Sequence, residues 1–257
     1  MCKKIIKKAC DFLDKNLRWE QYRIFFNLII LRYLVLWFAI VPILGGLFSK
    51  IKNPITFIDS VGKQHELNLA LPFSWQLLWL SSLFFVLSLF IYYIRCPNFV
   101  RKYHNFSYYK EYFHDYRWLV WEAEKLVKSI KNEQMDKFID RLHEKKEIMI
   151  SISEDEFNGI NNGNNAKVSV EKTCTSLTFS HKNKYFKLSL PRHESNEDNL
   201  MEQVGVFYEI YGRFSSSRHL SRFFILILLS FSGLLFAYVF CQHIFHGGEY
   251  FYEWLSN

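Results

Sequence analysis

Three apolar runs constrain this chain more than any other feature: Ile24–Phe48, Trp75–Ile94 and Phe223–Ile244. Each is about as long as a membrane-crossing helix. A helix needs roughly 20 mostly apolar residues to cross about 30 Å of hydrocarbon at about 1.5 Å per residue. Lipid offers the backbone no hydrogen-bond partners, so such runs must be helical. Buried core helices are usually shorter and carry a polar stripe, which the second and third runs lack. The first run contains Asn27 and Arg32. A span beginning near Leu28 places Arg32 one turn inside the membrane edge. From there its stem can snorkel to the headgroups, or its head can face a polar seam or a lipid phosphate. Pro42 is expected to kink this helix, and Gly45 and Gly46 to end it.

The composition agrees. Hydrophobic residues make up 50% and aromatic residues 19%, with 26 Phe and 15 Tyr against 10 Gly and 5 Pro, which excludes a disordered, collagen-like or linker chain. The 5 Cys are spread along the chain, with neither a disulfide framework nor zinc-ribbon spacing.

Orientation follows from Lys/Arg placement. Residues 1–23 carry Lys3, Lys4, Lys7, Lys8, Lys15, Arg18 and Arg23. Arg95, Arg101 and Lys102 follow the second run, and Arg213, Arg218 and Arg222 precede the third. The tail after the third run has no Lys or Arg. The expected topology is N-terminus in, short loop out, large middle domain in, C-terminus out, with Arg32, Arg95 and Arg222 as membrane-interface charges.

The expected fold class is an α-helical integral membrane protein with three transmembrane helices and a small α+β cytoplasmic domain. Residues 1–23 read as a basic amphipathic helix on the inner leaflet, or as a topogenic charge cluster. Transmembrane helices occupy 24–48, 75–94 and 223–244. An outer hairpin loop lies in 49–74, where Ile55 and Phe57 alternate, then His65, Leu67 and Leu69. Residues 245–257 form an outer aromatic tail. Trp75, Trp79, Tyr92 and Tyr93 suit the interfaces of the second span.

Residues 95–222 are the only stretch large enough for a soluble domain. Tyr112, Tyr116, Leu119, Ala123, Leu126 and Ile130 mark one helical face. After a break near Asn132, Met135, Phe138, Ile139 and Leu142 continue it. Alternation at Ile148–Ile152, Val168–Val170, Leu177–Phe179 and Phe186–Leu190 predicts a three- or four-stranded antiparallel sheet, with Asn158–Asn165 as a loop. A last helix starts at Ser195, capped with Asp198, and carries an apolar seam of Leu200, Val204, Phe207, Tyr211 and Phe214. Ser215–Ser217 is the expected hinge into the third span.

No motif for nucleotide, dinucleotide, serine-hydrolase or zinc-protease chemistry occurs. Cys241, His243 and His246 have a spacing that could hold a metal, but interfacial polar residues at a helix end are the simpler reading. Cys174 and His181 could pair as a nucleophile and base, and a strand cysteine with a turn histidine is the plainer account. Glu154-Asp155-Glu156 reads as an exposed acidic turn. No catalytic residue, cofactor or metal is assigned, and the chain reads as non-enzymatic. Residues 95–222 hold 21 Lys/Arg against 18 Asp/Glu, a balance of only +3. Within them Arg101, Lys102, Tyr108, Tyr109 and Lys110 mix cations with aromatics, which suits contact with a regulatory protein or a nucleic acid. Positive charge and Tyr are also expected beside a span.

Small residues mark helix packing. Gly233 and Ala237 have small-xxx-small spacing, and Ser81 and Ser88 add close-approach positions. These imply a homo-oligomer in the lipid bilayer.

The Lys-, Asn- and Phe-rich composition, seen in Ile24–Ile30 and Asn158–Asn165, resembles that of horizontally acquired bacterial defence genes. The layout is similar to small multi-pass effectors of anti-phage systems such as retrons and cyclic-oligonucleotide systems. That resemblance implies disruption or depolarisation of the bacterial inner membrane after phage sensing, with the soluble part held by, or responding to, a partner. The alternative is a non-enzymatic membrane scaffold or sensor subunit of a larger complex.

Overall fold

The structure is a computed structural model that describes residues 12, 15–48, 55–58, 64–67, 74–114, 117–144, 148–191 and 197–256. The chain divides into two compact units. One comprises Tyr22–Arg95 and Leu220–Asn257, and the other Met1–Gln21 and Cys96–His219.

The first unit holds the apolar runs. Trp75–Arg95 (α3) agrees with the expected second span. The third run lies inside one 38-residue helix, His219–Ser256 (α10). Both helices are long and apolar enough to cross a membrane. The first run agrees with a span starting near Leu28, but not with one continuous from Ile24. It is split into Trp19–Phe26 (α1) and Ile29–Phe48 (α2). Trp19–Phe26 and the Leu31–Gly45 part of α2 qualify together as a bent span, with 75° between them. At the break the i→i−4 ladder gives way to tighter turns: Leu28 N–H donates to Phe25 O and Leu31 N–H to Leu28 O, both at 3.1 Å. Asn27, a residue that favours turns over helix interiors, sits there. Hydropathy misses the break because Phe25, Phe26 and Leu28 are apolar on both sides of it.

Gly45 and Gly46 do not end α2, which runs on past Pro42 to Phe48. Gly45 has a different use. A Cβ there would lie 3.2 Å from ring atoms of Trp75, so the glycine lets the indole approach the α2 backbone. Val41, Leu78 and Val239 form a core cluster contributed by α2, α3 and α10, with Trp75, Leu77 and Trp79 packed around it. Phe38 stacks on Trp79 at 5.9 Å, and Phe26 meets Tyr92 at 5.0 Å.

The expected hairpin is present: Ile55–Ile58 (β1) pairs antiparallel with Gln64–Leu67 (β2), Ile55 opposite Leu67. Residues 245–256 are helical, a continuation of α10 that the aromatic tail did not announce. Of the basic segment 1–23, residues 1–11, 13 and 14 lie outside the described residues, as do Leu69 and the Ser195 cap, and its end belongs to α1.

The second unit contains the four-stranded sheet and the helices around it. Its elements are Asn98–Lys102 (α4), Phe106–Glu111 (α5), Arg117–Ser129 (α6), Asn132–His143 (α7), Met149–Ile152 (β3), Glu154–Asn161 (α8), Ala166–Val170 (β4), Cys174–His181 (β5), Lys184–Pro191 (β6) and Glu197–Ser216 (α9). The four strands form one antiparallel sheet in the order β3-β6-β5-β4, the upper end of the expected strand count. The β5–β6 turn puts Lys182 and Asn183 at φ 50° and 58°, as a two-residue primed turn requires.

Helix periodicity places the core from Leu119 onward, but Tyr112, expected on the same face, follows the end of α5 and is exposed, and Tyr116 lies outside the described residues. Leu119, Val120, Ala123 and Leu126 of α6 and Met135, Phe138, Ile139 and Leu142 of α7 are buried. On α9 the buried face is wider than the expected seam and includes Gln203, Val206 and Ile210 beside Phe207, Tyr211 and Phe214. Trp19 Nε1–H donates to Ser217 O at 2.9 Å, so this fully buried indole caps the end of α9.

The Asn158–Asn165 loop is a correction. α8 continues to Asn161, with Asn162 in the left-handed conformation behind it. Ser153 caps its start, and Glu154, Asp155 and Glu156 fill its first turn, where acidic side chains complement the helix dipole. Asn161 is buried. Its Nδ2 donates to Asn164 O at 3.0 Å and Thr178 O at 3.3 Å, and its Oδ1 accepts from the Thr178 hydroxyl. A polar residue thus fastens α8 to β5, which no hydropathy pattern reveals.

Candidate functional site

Three places carry chemistry beyond simple packing. The first is the seam between α3 and α10. Ser81 Oγ donates to Ser232 O at 2.8 Å, and Ser232 Oγ donates to Ser81 O at 2.9 Å. Both serines are buried. Ser88 is buried too, but its hydroxyl bonds within its own helix, to Phe85 O at 2.6 Å. Gly233 and Ala237 face outward on α10, and a Cβ added at Gly233 meets nothing within 4 Å. So Ser81 packs as expected, Ser232 is the partner that sequence reasoning missed, and the Gly233–Ala237 face is open.

The interface charges separate. Arg32 and Arg95 are exposed. Arg222 is fully buried, which does not suit a headgroup-facing charge. Its backbone carbonyl accepts the Tyr22 hydroxyl at 2.9 Å, so the α10 start is tied to α1.

The second place is the aromatic segment of α4–α6. Tyr109 is not a stacking surface, because it is buried against Tyr103 at 5.0 Å and Phe207 at 5.5 Å. Tyr108 is half-buried and stacks on His104 at 4.9 Å. Asn105 caps α5 by accepting Tyr108 N–H at 2.7 Å. Arg101 binds Asn98 Oδ1 at 2.8 Å, and Lys110 lies 5.9 Å over the Phe106 ring. Lys102 Nζ sits 4.5 Å over Tyr112 and 3.3 Å from His114 Nε2. Burial, and then the Lys102 charge, hold the His114 imidazole below its ordinary value, so the neutral ring is favoured. Burial, with Glu122 and Tyr112 nearby, pushes the Tyr103 phenol up to about 12. The five residues expected to meet a partner therefore do not act as one surface. Lys102 lies instead against Tyr112 and His114, with Trp118 continuing the chain of rings at His114.

The third place is a cleft of about 790 Å³ between α6, the start of α7 and the β4–β5 edge. Val127, Ile130 and Met135 give it an apolar wall, and Asn132, Asn164, Asn165 and His181 a polar one. His181 Nε2 is 2.8 Å from Asp136 Oδ1, and Lys182 Nζ is 2.6 Å from Asp136 Oδ2. Hydrogen bonds from Lys182 and then His181 hold the Asp136 carboxyl below its ordinary value. The volume falls in the ~300–1,000 Å³ range of small-molecule sites.

The remaining candidates resolve as packing or surface. Cys174 and His181 begin and end the same strand, about 23 Å apart at ~3.3 Å per residue. Burial raises the Cys174 thiol, so it is a poor nucleophile. Cys241 and His243 sit on α10, and His246 Nδ1 contacts Glu249 at 3.1 Å. Among the described residues no His, Cys, Asp and Glu group has metal-ligand geometry.

No family model, no curated protein and no solved structure matches this chain.

Proposed function

We propose that this chain is a bacterial inner-membrane effector of an anti-phage, abortive-infection type, whose copies assemble through their membrane helices and depolarise the membrane when the soluble domain is triggered or released. The observation that carries the reading is the open Gly233–Ala237 face of α10. The buried serine of this helix already has its partner in Ser81, so the small-residue face is left for a second helix. A two-residue link supports the coupling: α9 ends at Ser216 and α10 begins at His219. Movement of α9 in the soluble unit is thereby handed to a helix long enough to span. The layout resembles small multi-pass defence effectors, with the N-terminus in the cytoplasm and the C-terminus in the periplasm.

The test is inducible expression in a bacterium with a voltage-sensitive dye. Rapid depolarisation that is lost in Gly233→Leu/Ala237→Leu supports the reading, and equal depolarisation in the variant overturns its assembly face. The cleft favours a second reading, a non-enzymatic sensor or scaffold subunit. Intact potential at every expression level, with a partner co-purifying, selects that one.

A further inference from the structure

Phe113 stands where the chain leaves α5, with its N–H donating to Lys110 O at 2.8 Å. Its φ is 53°, in the left-handed region that glycine normally fills behind a helix. A phenylalanine there is strained, and its side chain is 95% exposed. Two unfavourable features thus coincide at one residue. Its neighbours extend the surface. Tyr112 is 41% and Trp118 43% exposed, and His114 bridges them, its ring 5.6 Å from Tyr112 and 4.8 Å from Trp118. Lys102 lies over Tyr112. By sequence, residues 98–118 carry Arg101, Lys102, Lys110 and Arg117 against Glu111 and Asp115.

We infer that this patch docks on an anionic lipid surface, with Phe113 inserted at the headgroup–acyl boundary and the cations against lipid phosphates. Aromatic residues mixed with Lys and Arg are the composition of membrane-interface anchors. Basic charge complements the anionic inner leaflet, which an aromatic protein-binding groove would not need. The occupant is also close at hand. α3 ends at Arg95 and Phe113 follows 18 residues later, so the chain ties the patch to a span. The inference rests on α3 crossing a bilayer, and not on assembly or depolarisation.

The test places a photocrosslinking benzoylphenylalanine at Phe113 in the full chain, held in nanodiscs of phosphatidylcholine with phosphatidylglycerol. The same probe at Ile150, exposed on β3 of the same domain, is the reference. Mass spectrometry should find lipid adducts at 113 well above those at 150. They should be enriched in phosphatidylglycerol and cut roughly fivefold or more by Lys102→Glu. Adducts to protein, whether a second copy or the same chain, overturn the proposal. So does a lipid yield at 113 no higher than at 150. Membrane potential is read separately, so failure here leaves the assembly reading standing.

Discussion

Gly45 of α2 faces the Trp75 ring so closely that an added Cβ would lie 3.2 Å from two of its carbons. The indole is rigid and packed against the Val41, Leu78 and Val239 cluster. Gly45→Val should therefore destabilise the helical unit by about 1–3 kcal/mol, despite valine's better helix propensity. Thermal melts in detergent check this. Trp75→Leu in the Gly45→Val background should recover part of the loss, and no recovery would mean the clash lies elsewhere.

The two bonds between Ser81 and Ser232 are separate, each a hydroxyl on the opposite carbonyl. Ser81→Ala and Ser232→Ala should each cost about 0.6 kcal/mol, the average for an interhelical hydrogen bond in membrane proteins. The double variant should be close to additive. Coupling well above ~0.5 kcal/mol would instead make the 3.4 Å contact between the hydroxyls the important one.

Phe113→Gly should raise the stability of the unit that holds the four-stranded sheet by about 1 kcal/mol, because glycine relieves the left-handed backbone and no packed side chain is lost. Denaturant midpoints of the full chain check this. Loss of stability would mean that Phe113 packs in the folded domain. A stabilising change that also weakens lipid contact would show why phenylalanine is kept there.

Asp136 links stability to pH. Its carboxyl is held below the ordinary 3.8 by Lys182 and His181, so the folded state binds the proton less readily than the unfolded chain. The stabilisation is full above about pH 4 and is lost as pH falls through the depressed folded value. Asp136→Asn should melt below the native chain near neutral pH. The gap should close in strong acid. A gap that persists there would assign the loss to packing.

Much of the architecture was legible in the sequence. Alternation located all four strands, and the apolar positions from Leu119 to Leu142 located α6, α7 and the break between them. Those signals work because burial in this unit follows simple periods. The misses share a different cause. The bend at Asn27–Leu28 changes the direction of the chain without changing its hydropathy. α8 is hidden because Asn158 and Gly159 read as loop residues, while Asn161 is held by Thr178 from a distant strand. Gly45 reads as a terminator until Trp75 appears opposite it. Buried Arg222 reads as an interface charge until its burial is seen. At the candidate sites, Arg101, Lys102, Tyr108, Tyr109 and Lys110 are adjacent in sequence, but the fold sends Tyr109 inward and leaves Phe113 and Trp118 outside. A glycine missing from the end of α5 was the one local signal that could have pointed to Phe113.

The 38 residues of α10 amount to about 57 Å of unbroken helix, against about 30 Å of hydrocarbon. In a bilayer, roughly 27 Å of it is left for tilt or for protrusion beyond the acyl chains. Under the proposed coupling, such a helix would serve as a driveshaft, since a continuous helix resists twisting. A turn imposed at His219 would reappear at Ser256, and a reporter at the far end would register it without any relay of side chains between.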